Sequence, residues 1–333
     1  MTGCLNSVNN DSIKKLSNYD CFNTVSYVIS YANDNEEVFN NNCDEVFSIL
    51  KEYHRLFDIY HEYAGINNLC TLNKNAGKEA IIVDKKLIDF LLYCKDLYAL
   101  TNGKTNVMMG AVLKLWHDER EAASDNPNSA KLPDMENLKK ASLHTSIDLL
   151  EIDTEKNTVR ISDPDALIDV GAIGKGYATE MSAQFLEEKG CNSYVLDIGG
   201  NIRIIGTKID GTGWLTGIKD PINRGEYSFF TRISDISCVT SGDYERYYTV
   251  EGKRYHHIID SDTLMPSEYF ASVTIFTKNS GLADALSTAL FCMSYEDGLE
   301  LVNNLEEKVD VLWIYRDGTI KRTDGVIEEQ LKG

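Results

Sequence analysis

The run Ile168-Asp169-Val170-Gly171-Ala172-Ile173-Gly174-Lys175-Gly176-Tyr177-Ala178 constrains this chain more than any other stretch. An apolar segment read as a buried strand over 166–170 enters it, and a helical pattern from about 177 to 189, closed by Gly190, leaves it. Three glycines between them can expose main-chain N–H groups to an anion, with Lys175 neutralising charge and Asp169 recognising a polar ligand group. A purely structural strand-to-helix turn uses glycine in the same way. The spacing matches neither the dinucleotide fingerprint nor the phosphate loop ending in Lys-Ser/Thr.

Three further clusters carry chemistry. In Ser280-Gly281-Leu282-Ala283-Asp284-Ala285-Leu286-Ser287-Thr288-Ala289-Leu290 a helical pattern sets Asp284 and Thr288 at i and i+4, on one face. Carboxylate and hydroxyl are hard oxygen donors that suit Mg2+, and the Ala172 carbonyl, water and a ligand phosphate can complete a near-octahedral shell; ordinary hydrogen bonding is the other use. Tyr255-His256-His257-Ile258-Ile259-Asp260 puts two histidines on opposite sides of a strand. His257 is the candidate proton acceptor, since a free imidazole titrates at about 6.5, and its neighbour is expected to be structural. Thr240-Ser241-Gly242-Asp243-Tyr244 reads as a turn, either facing a cofactor or simply reversing the chain.

Elsewhere the apolar periods alternate between strand and helix. A strand is expected over 24–31, helices over 38–57, 84–100 and 134–142, and a strand pair at 147–152 and 158–161. The polar stretch 119–133 is expected as a surface excursion. A β-rich region follows (195–205, 214–218, 227–233, 247–250, 271–277), then helices at 282–293 and 298–304 and a last strand at 309–315. This order predicts an α+β protein.

A formal net charge of -19 excludes nonspecific duplex binding, which needs concentrated positive charge, while a local nucleotide pocket stays open. The eight cysteines lack CxxC spacing and are expected as buried thiols. No apolar run is long enough to span a bilayer. Met1-Thr2-Gly3-Cys4 looks like the end of a lipoprotein signal, so residues 1–18 are expected as a flexible segment or lipoprotein linker and 19–330 as one domain.

Taken in order, Asp20-Cys21-Phe22-Asn23-Thr24, Thr105-Asn106-Val107-Met108-Met109-Gly110, Leu115-Trp116, the glycine-rich run, Thr240 to Tyr244, His256 to Asp260 and Ala283 to Thr288 resemble the bacterial FAD:protein FMN transferase family, also called the ApbE family. The resemblance implies mixed, largely antiparallel sheets flanked by helices, with a flavin site between lobes. It implies Mg2+-dependent transfer of FMN from FAD to a Ser or Thr hydroxyl of a flavin-accepting redox protein, through a phosphoester bond and with release of AMP. An FAD diphosphatase and a noncatalytic FAD-binding protein are the alternatives.

On the same resemblance Ala172, Asp284 and Thr288 match metal positions, and Asp169 and Lys175 match flavin-nucleotide contacts. Phe22, Tyr60, Asn106, Val107 and Met108 align with other pocket positions. Ser241, Gly242, His257 and Ile258 complete the cofactor set, and His257 matches the residue that promotes transfer. The resemblance implies as acceptor a subunit of a membrane redox complex or a flavinylated extracytoplasmic reductase, and the Cys4 motif leads to the expectation of a lipoprotein on the extracytoplasmic face, with a cytoplasmic location as the alternative. The chain departs from the pattern where Asp260-Ser261 and Thr263-Leu264 replace Asp-Pro and Thr-Gly, which changes the backbone angles open to that loop, and Met108 and Met109 replace smaller residues.

Overall fold

A computed structural model describes residues 13–330, so Cys4 and the lipid attachment expected there lie outside the described residues. The chain runs β1 (Lys14–Asn18), β2 (Ser26–Ser30), α1 (Glu36–Phe57), α2 (Leu69–Lys74), β3 (Ile81–Ile82), α3 (Lys85–Leu100), α4 (Gly110–Asp125) and α5 (Met135–Ser142). It continues through β4 (Leu150–Asp153), β5 (Thr158–Ile161), α6 (Gly174–Glu188), β6 (Tyr194–Ile198), β7 (Asn201–Ile205), β8 (Trp214–Lys219), β9 (Tyr227–Ile233) and β10 (Ser237–Gly242). The last elements are β11 (Tyr247–Val250), β12 (Lys253–His256), β13 (Ser272–Thr277), α7 (Ser280–Phe291), α8 (Tyr295–Asn303), β14 (Asp310–Ile314) and β15 (Ile320–Arg322).

Local sequence explains the clearest of these. Asn35 caps α1 by accepting the Val38 N–H, Glu36 and Glu37 occupy its first turn, and Phe39, Cys43, Val46, Leu50, Tyr53 and Phe57 recur at helical spacing on its buried face. Asp84 and Asp134 cap α3 and α5 in the same manner.

The main sheet has the order β1-β2-β6-β7-β10-β13-β14-β15, and each neighbouring pair is antiparallel. Its pleat sends alternate residues to two cores: Leu196, Val273, Val311 and Trp313 join the core under α1, α6 and α7, while Val195, Phe276, Leu312 and Ile314 pack beneath the β8–β9 hairpin. Burial on both faces explains why these strands read as continuous apolar runs. A third cluster, including Met109, Val112, Trp116, Leu138, Tyr248 and Leu264, fastens α4 and α5 to the β11–β12 ribbon. The fold is α+β, with helices flanking antiparallel sheets.

Several elements differ from expectation. Residues 14–18, expected within a flexible segment, form β1 and pair with β2 along its length. The stretch over 166–170 is buried at Ala166, Ile168 and Val170 but joins no ladder. Ile168 exchanges hydrogen bonds with the Asn73 side chain, and only an isolated bridge links Leu167 to Met109. The helix of α4 runs on to Asp125 because good helix formers continue past Glu119, with Ala123 still buried, and the polar excursion is correspondingly shorter. Thr240, Ser241 and Gly242 belong to β10 and not to a turn, since β13 pairs with them in register after the β7 pairing has ended at Val239. The described thiols of Cys21, Cys43, Cys70, Cys94, Cys191 and Cys292 are free, as the wide spacing predicts.

Candidate active site

Helices α6 and α7 approach more closely than side chains ordinarily permit, and Gly176 is the reason. A Cβ there would lie 2.4 Å from the Asp284 Cβ and 2.4 Å from the Ser280 carbonyl oxygen. The approach lets the Gly176 N–H donate to Asp284 Oδ2 at 2.8 Å. A carboxylate of α7 thereby caps the start of α6, where unpaired N–H groups and the helix dipole favour negative charge. The turn into α6 is shorter than the sequence suggests, for Gly174 and Gly176 already lie in its first turn.

With the Gly176 N–H directed to Asp284, no hydrogen bond among the described residues ends on the Ala172 carbonyl. Asp284 is 6% exposed. Burial raises its pKa, opposed by Lys175, the Gly176 N–H, the Asn201 side chain and Arg246. The buried Asp284 carboxylate, the Ala172 carbonyl without an internal donor and the half-buried Thr288 hydroxyl one turn along α7 are hard oxygen donors of the kind a divalent cation takes. Lys175 Nζ stands 3.5 Å from Asn201 Oδ1 on the β6–β7 hairpin. The Ser287 hydroxyl donates to the Asp284 carbonyl and meets the Ser241 hydroxyl at 2.8 Å, which fixes the end of β10 on α7. Gly242 follows, with no room for a Cβ beside the Tyr244 ring.

A second side of the site comes from the 106–110 loop. Asp169 donates its main-chain N–H to the Val107 carbonyl at 2.8 Å, and Gly110 donates to the Leu167 carbonyl at 3.1 Å. Asp169 Oδ1 accepts the Gly171 N–H at 2.8 Å. Burial raises the Asp169 pKa, and the Gly171 N–H together with His117, Arg246 and Arg120 works the other way. Asn106 accepts from the Met108 N–H and donates to the Thr145 carbonyl. The Val107 and Met108 side chains are buried in the main core, so these two positions can meet a ligand only through main chain.

Phe22 adopts a left-handed φ of 56°, costly for an aromatic residue, with its N–H on His54 Nδ1 at 3.3 Å and its ring edge-on to the same imidazole. Tyr60 is 58% exposed, its ring 5.8 Å from that of His117. Among the described residues, the side chains of Phe22, Tyr60 and Thr288 make no hydrogen bond to another predicted site residue.

The two adjacent histidines divide sharply. His256 is buried with Nε2 donating to the Ser267 carbonyl at 2.8 Å and Nδ1 accepting the Ile258 N–H at 3.3 Å, and burial pushes its pKa down to about 4. His257 lies just past β12, its Nδ1 3.2 Å from the Arg246 carbonyl. That bond assigns the proton to Nδ1 and leaves the Nε2 lone pair available. Burial, then the charges of Arg246 and His256, push the His257 pKa down to about 3. Ile258 is buried, its carbonyl bonded to the Ser267 N–H.

Sequence reasoning missed Asn201, Arg246, Arg120 and His117. Asp197-Ile198-Gly199-Gly200-Asn201 carried a signal, a second strand ending in paired glycines, and Arg246 follows closely on the Thr240–Tyr244 segment that was singled out. Nothing in the polar stretch around Arg120 pointed to the site.

Comparison with known proteins supplies the family. The profile of the ApbE family matches residues 23–313. A Treponema pallidum protein named FAD:protein FMN transferase is 30% identical over 302 residues, covering 86% of this chain and 80% of its own length. A Vibrio cholerae protein of the same name is 30% identical over 286 residues, covering 85% and 80% respectively. The crystal structure of the ApbE protein from Thermotoga maritima superposes with a TM-score of 0.81 at 26% identity, covering 94% of this chain and 97% of that one. The flavin transferase ApbE of Vibrio cholerae gives a TM-score of 0.75 at 25% identity, covering 93% and 96%. On the span of the match and the shared fold, this chain belongs to the ApbE family.

Proposed function

We propose that this chain is a flavin transferase that moves FMN from FAD to a Ser or Thr hydroxyl of an acceptor protein, releasing AMP. The relatives' names support flavin transfer to a protein. The observation that carries the finer reading is the contact of Asp284 with the Gly176 N–H, beside Lys175 and the undonated Ala172 carbonyl. Asp284, Thr288 and the Ala172 carbonyl would hold Mg2+. Bound there, the ion would neutralise diphosphate charge and stabilise the leaving phosphate.

The remaining work falls to the chain itself. Lys175 pairs with phosphate oxygens at the positive end of α6. Asp169 and the main chain of 106–108 hold the flavin end. His257, seated by the Arg246 carbonyl, takes the acceptor's hydroxyl proton on Nε2 while the hydroxyl oxygen bonds to the FMN phosphorus. The bond from that phosphorus to the AMP oxygen breaks, and AMP leaves with the electron pair. A pKa of about 3 keeps the imidazole neutral, and the diphosphate charge brought in by substrate raises its basicity.

Incubation with FAD, Mg2+ and a flavin-accepting protein tests the reaction. Covalent FMN on the acceptor and equimolar AMP are expected; free FMN and AMP would instead mark an FAD diphosphatase, and bound FAD without either product a carrier. Asp284→Ala should remove metal-dependent transfer, and unchanged transfer in that variant would rule out its role. We further place the protein on the extracytoplasmic face of the membrane through lipid on Cys4. Intact mass of the native protein without a lipid increment would refute this.

A further inference from the structure

The main chain at residue 246 is held between two parts of the site. Upstream, the Ser241 hydroxyl is bonded to Ser287, whose own hydroxyl reaches the Asp284 carbonyl, so the connection leaving β10 starts on α7. Downstream, the Arg246 carbonyl receives both the main-chain N–H of His257 at 3.1 Å and its Nδ1 at 3.2 Å. The guanidinium is thereby carried on a short turn fastened to the Asp284 helix at one end and to His257 at the other.

Its neighbours' charges are already committed. Glu245 pairs with Lys219 at 3.2 Å, Arg224 and Arg254 flank the Tyr247 ring, and Asp243 faces Arg316 at 3.9 Å. Among the described residues Arg246 has no ion-pair partner, in a chain with 52 acidic residues against 33 basic ones. An arginine left without an ion pair in so acidic a chain is suited to an anion that arrives from outside. Its positive charge acts on Asp169, Asp284 and His257, which belong to three separate segments of the chain.

We propose that the Arg246 guanidinium binds the diphosphate of the flavin dinucleotide and holds the phosphoryl group in front of His257. The inference rests on the flavin-transfer reading and adds to it a residue that touches the transferred phosphate. As the acceptor oxygen bonds to phosphorus and the bond to AMP breaks, negative charge moves onto the departing phosphate, where a planar two-pronged donor stabilises it. Side-chain replacement leaves the carbonyl that seats His257 in place, so the two roles of residue 246 separate.

The test is equilibrium binding of FAD and of riboflavin, which lacks the diphosphate, to the wild type, Arg246→Ala and Arg246→Lys, with thermal unfolding of each as a check on folding. Arg246→Ala should weaken FAD by on the order of tenfold or more, as loss of a charged hydrogen bond predicts, and leave riboflavin unchanged. Arg246→Lys should recover part of the loss, and added guanidinium should restore FAD turnover in Arg246→Ala. Equal FAD affinity in wild type and Arg246→Ala, or an equal fall for both ligands, would overturn the assignment. Binding is read without turnover, so wild type that binds FAD through Arg246 yet transfers nothing would defeat the transferase reading and leave this contact standing.

Discussion

His256 and His257 show how neighbouring side chains of one type acquire different chemistry. Both ring nitrogens of His256 are occupied inside the protein, whereas His257 keeps Nε2 available. His257→Ala is expected to lower the transfer rate by about 10² to 10⁴, measured as AMP release at saturating FAD, with FAD affinity within a few-fold of wild type. The pH dependence of stability follows from the same burial. The unfolded chain protonates these imidazoles near 6.5, the folded protein only near 4 and 3, so their contribution to stability is complete above the former value and declines as pH falls towards the latter. Urea denaturation of the wild type should record that decline between pH 7 and 4.5, and His256→Gln, though weaker at pH 7, should show a shallower one. Leu264, where the family pattern has glycine, does adopt a left-handed φ of 60°. Its buried side chain and its carbonyl, which accepts the Trp116 indole N–H, offset the strain. Leu264→Gly should therefore destabilise by about 1 to 3 kcal/mol, the lost burial outweighing the relief of strain. The residue change was readable from sequence; its compensation by Trp116, 148 residues away, was not.

At the scale of elements, the site depends on the closeness of α6 to α7. Gly176→Ala should drive the helices apart at two contacts of 2.4 Å, lowering unfolding free energy in urea by about 1 to 3 kcal/mol and weakening metal-dependent transfer in the surviving fold. A second tie joins the α3–α4 connection to the loop after the histidines. Lys104 Nζ bonds Asp260 Oδ1 at 2.7 Å and Asp262 Oδ2 at 2.8 Å, and the Asp260 carboxylate is nearly buried. In a loop that lacks the usual proline and glycine, this ion pair fixes the chain beyond His257. Lys104→Met leaves Asp260 buried without its cation, so faster hydrogen exchange over residues 257–265 and a lower transfer rate are expected. Unchanged exchange there would show that the loop is held by other contacts. Sequence periods identified α1, α3, α5 and α7, whose caps and apolar faces are local properties. They misread residues 166–170, because an apolar run does not reveal that Ile168 bonds the Asn73 side chain and its neighbours bond Val107 and Gly110.

Across the whole molecule, hydrogen bonds join Val107 to Asp169 and Gly176 to Asp284, so a ligand bound at these segments ties distant parts of the chain together. FAD with Mg2+ should raise the unfolding temperature more than FAD with a chelator. By mass action, saturation at a hundredfold excess over Kd adds about 2.7 kcal/mol, and Asp284→Ala should remove the metal-dependent part. A thermal shift indifferent to Mg2+ would argue against the oxygen set at α6 and α7. By itself the sequence determined the α+β class, the helices with strong caps, the glycine-rich turn and the i, i+4 spacing of Asp284 and Thr288, since each arises from interactions within a few residues. Tertiary structure alone decided that Gly176 meets Asp284 across 108 residues, that Asn201 lies beside Lys175, and that Arg246 is left unpaired between His257 and α7. Those facts depend on how far-apart segments close over a shared core, and side-chain period along a chain carries no record of that closure.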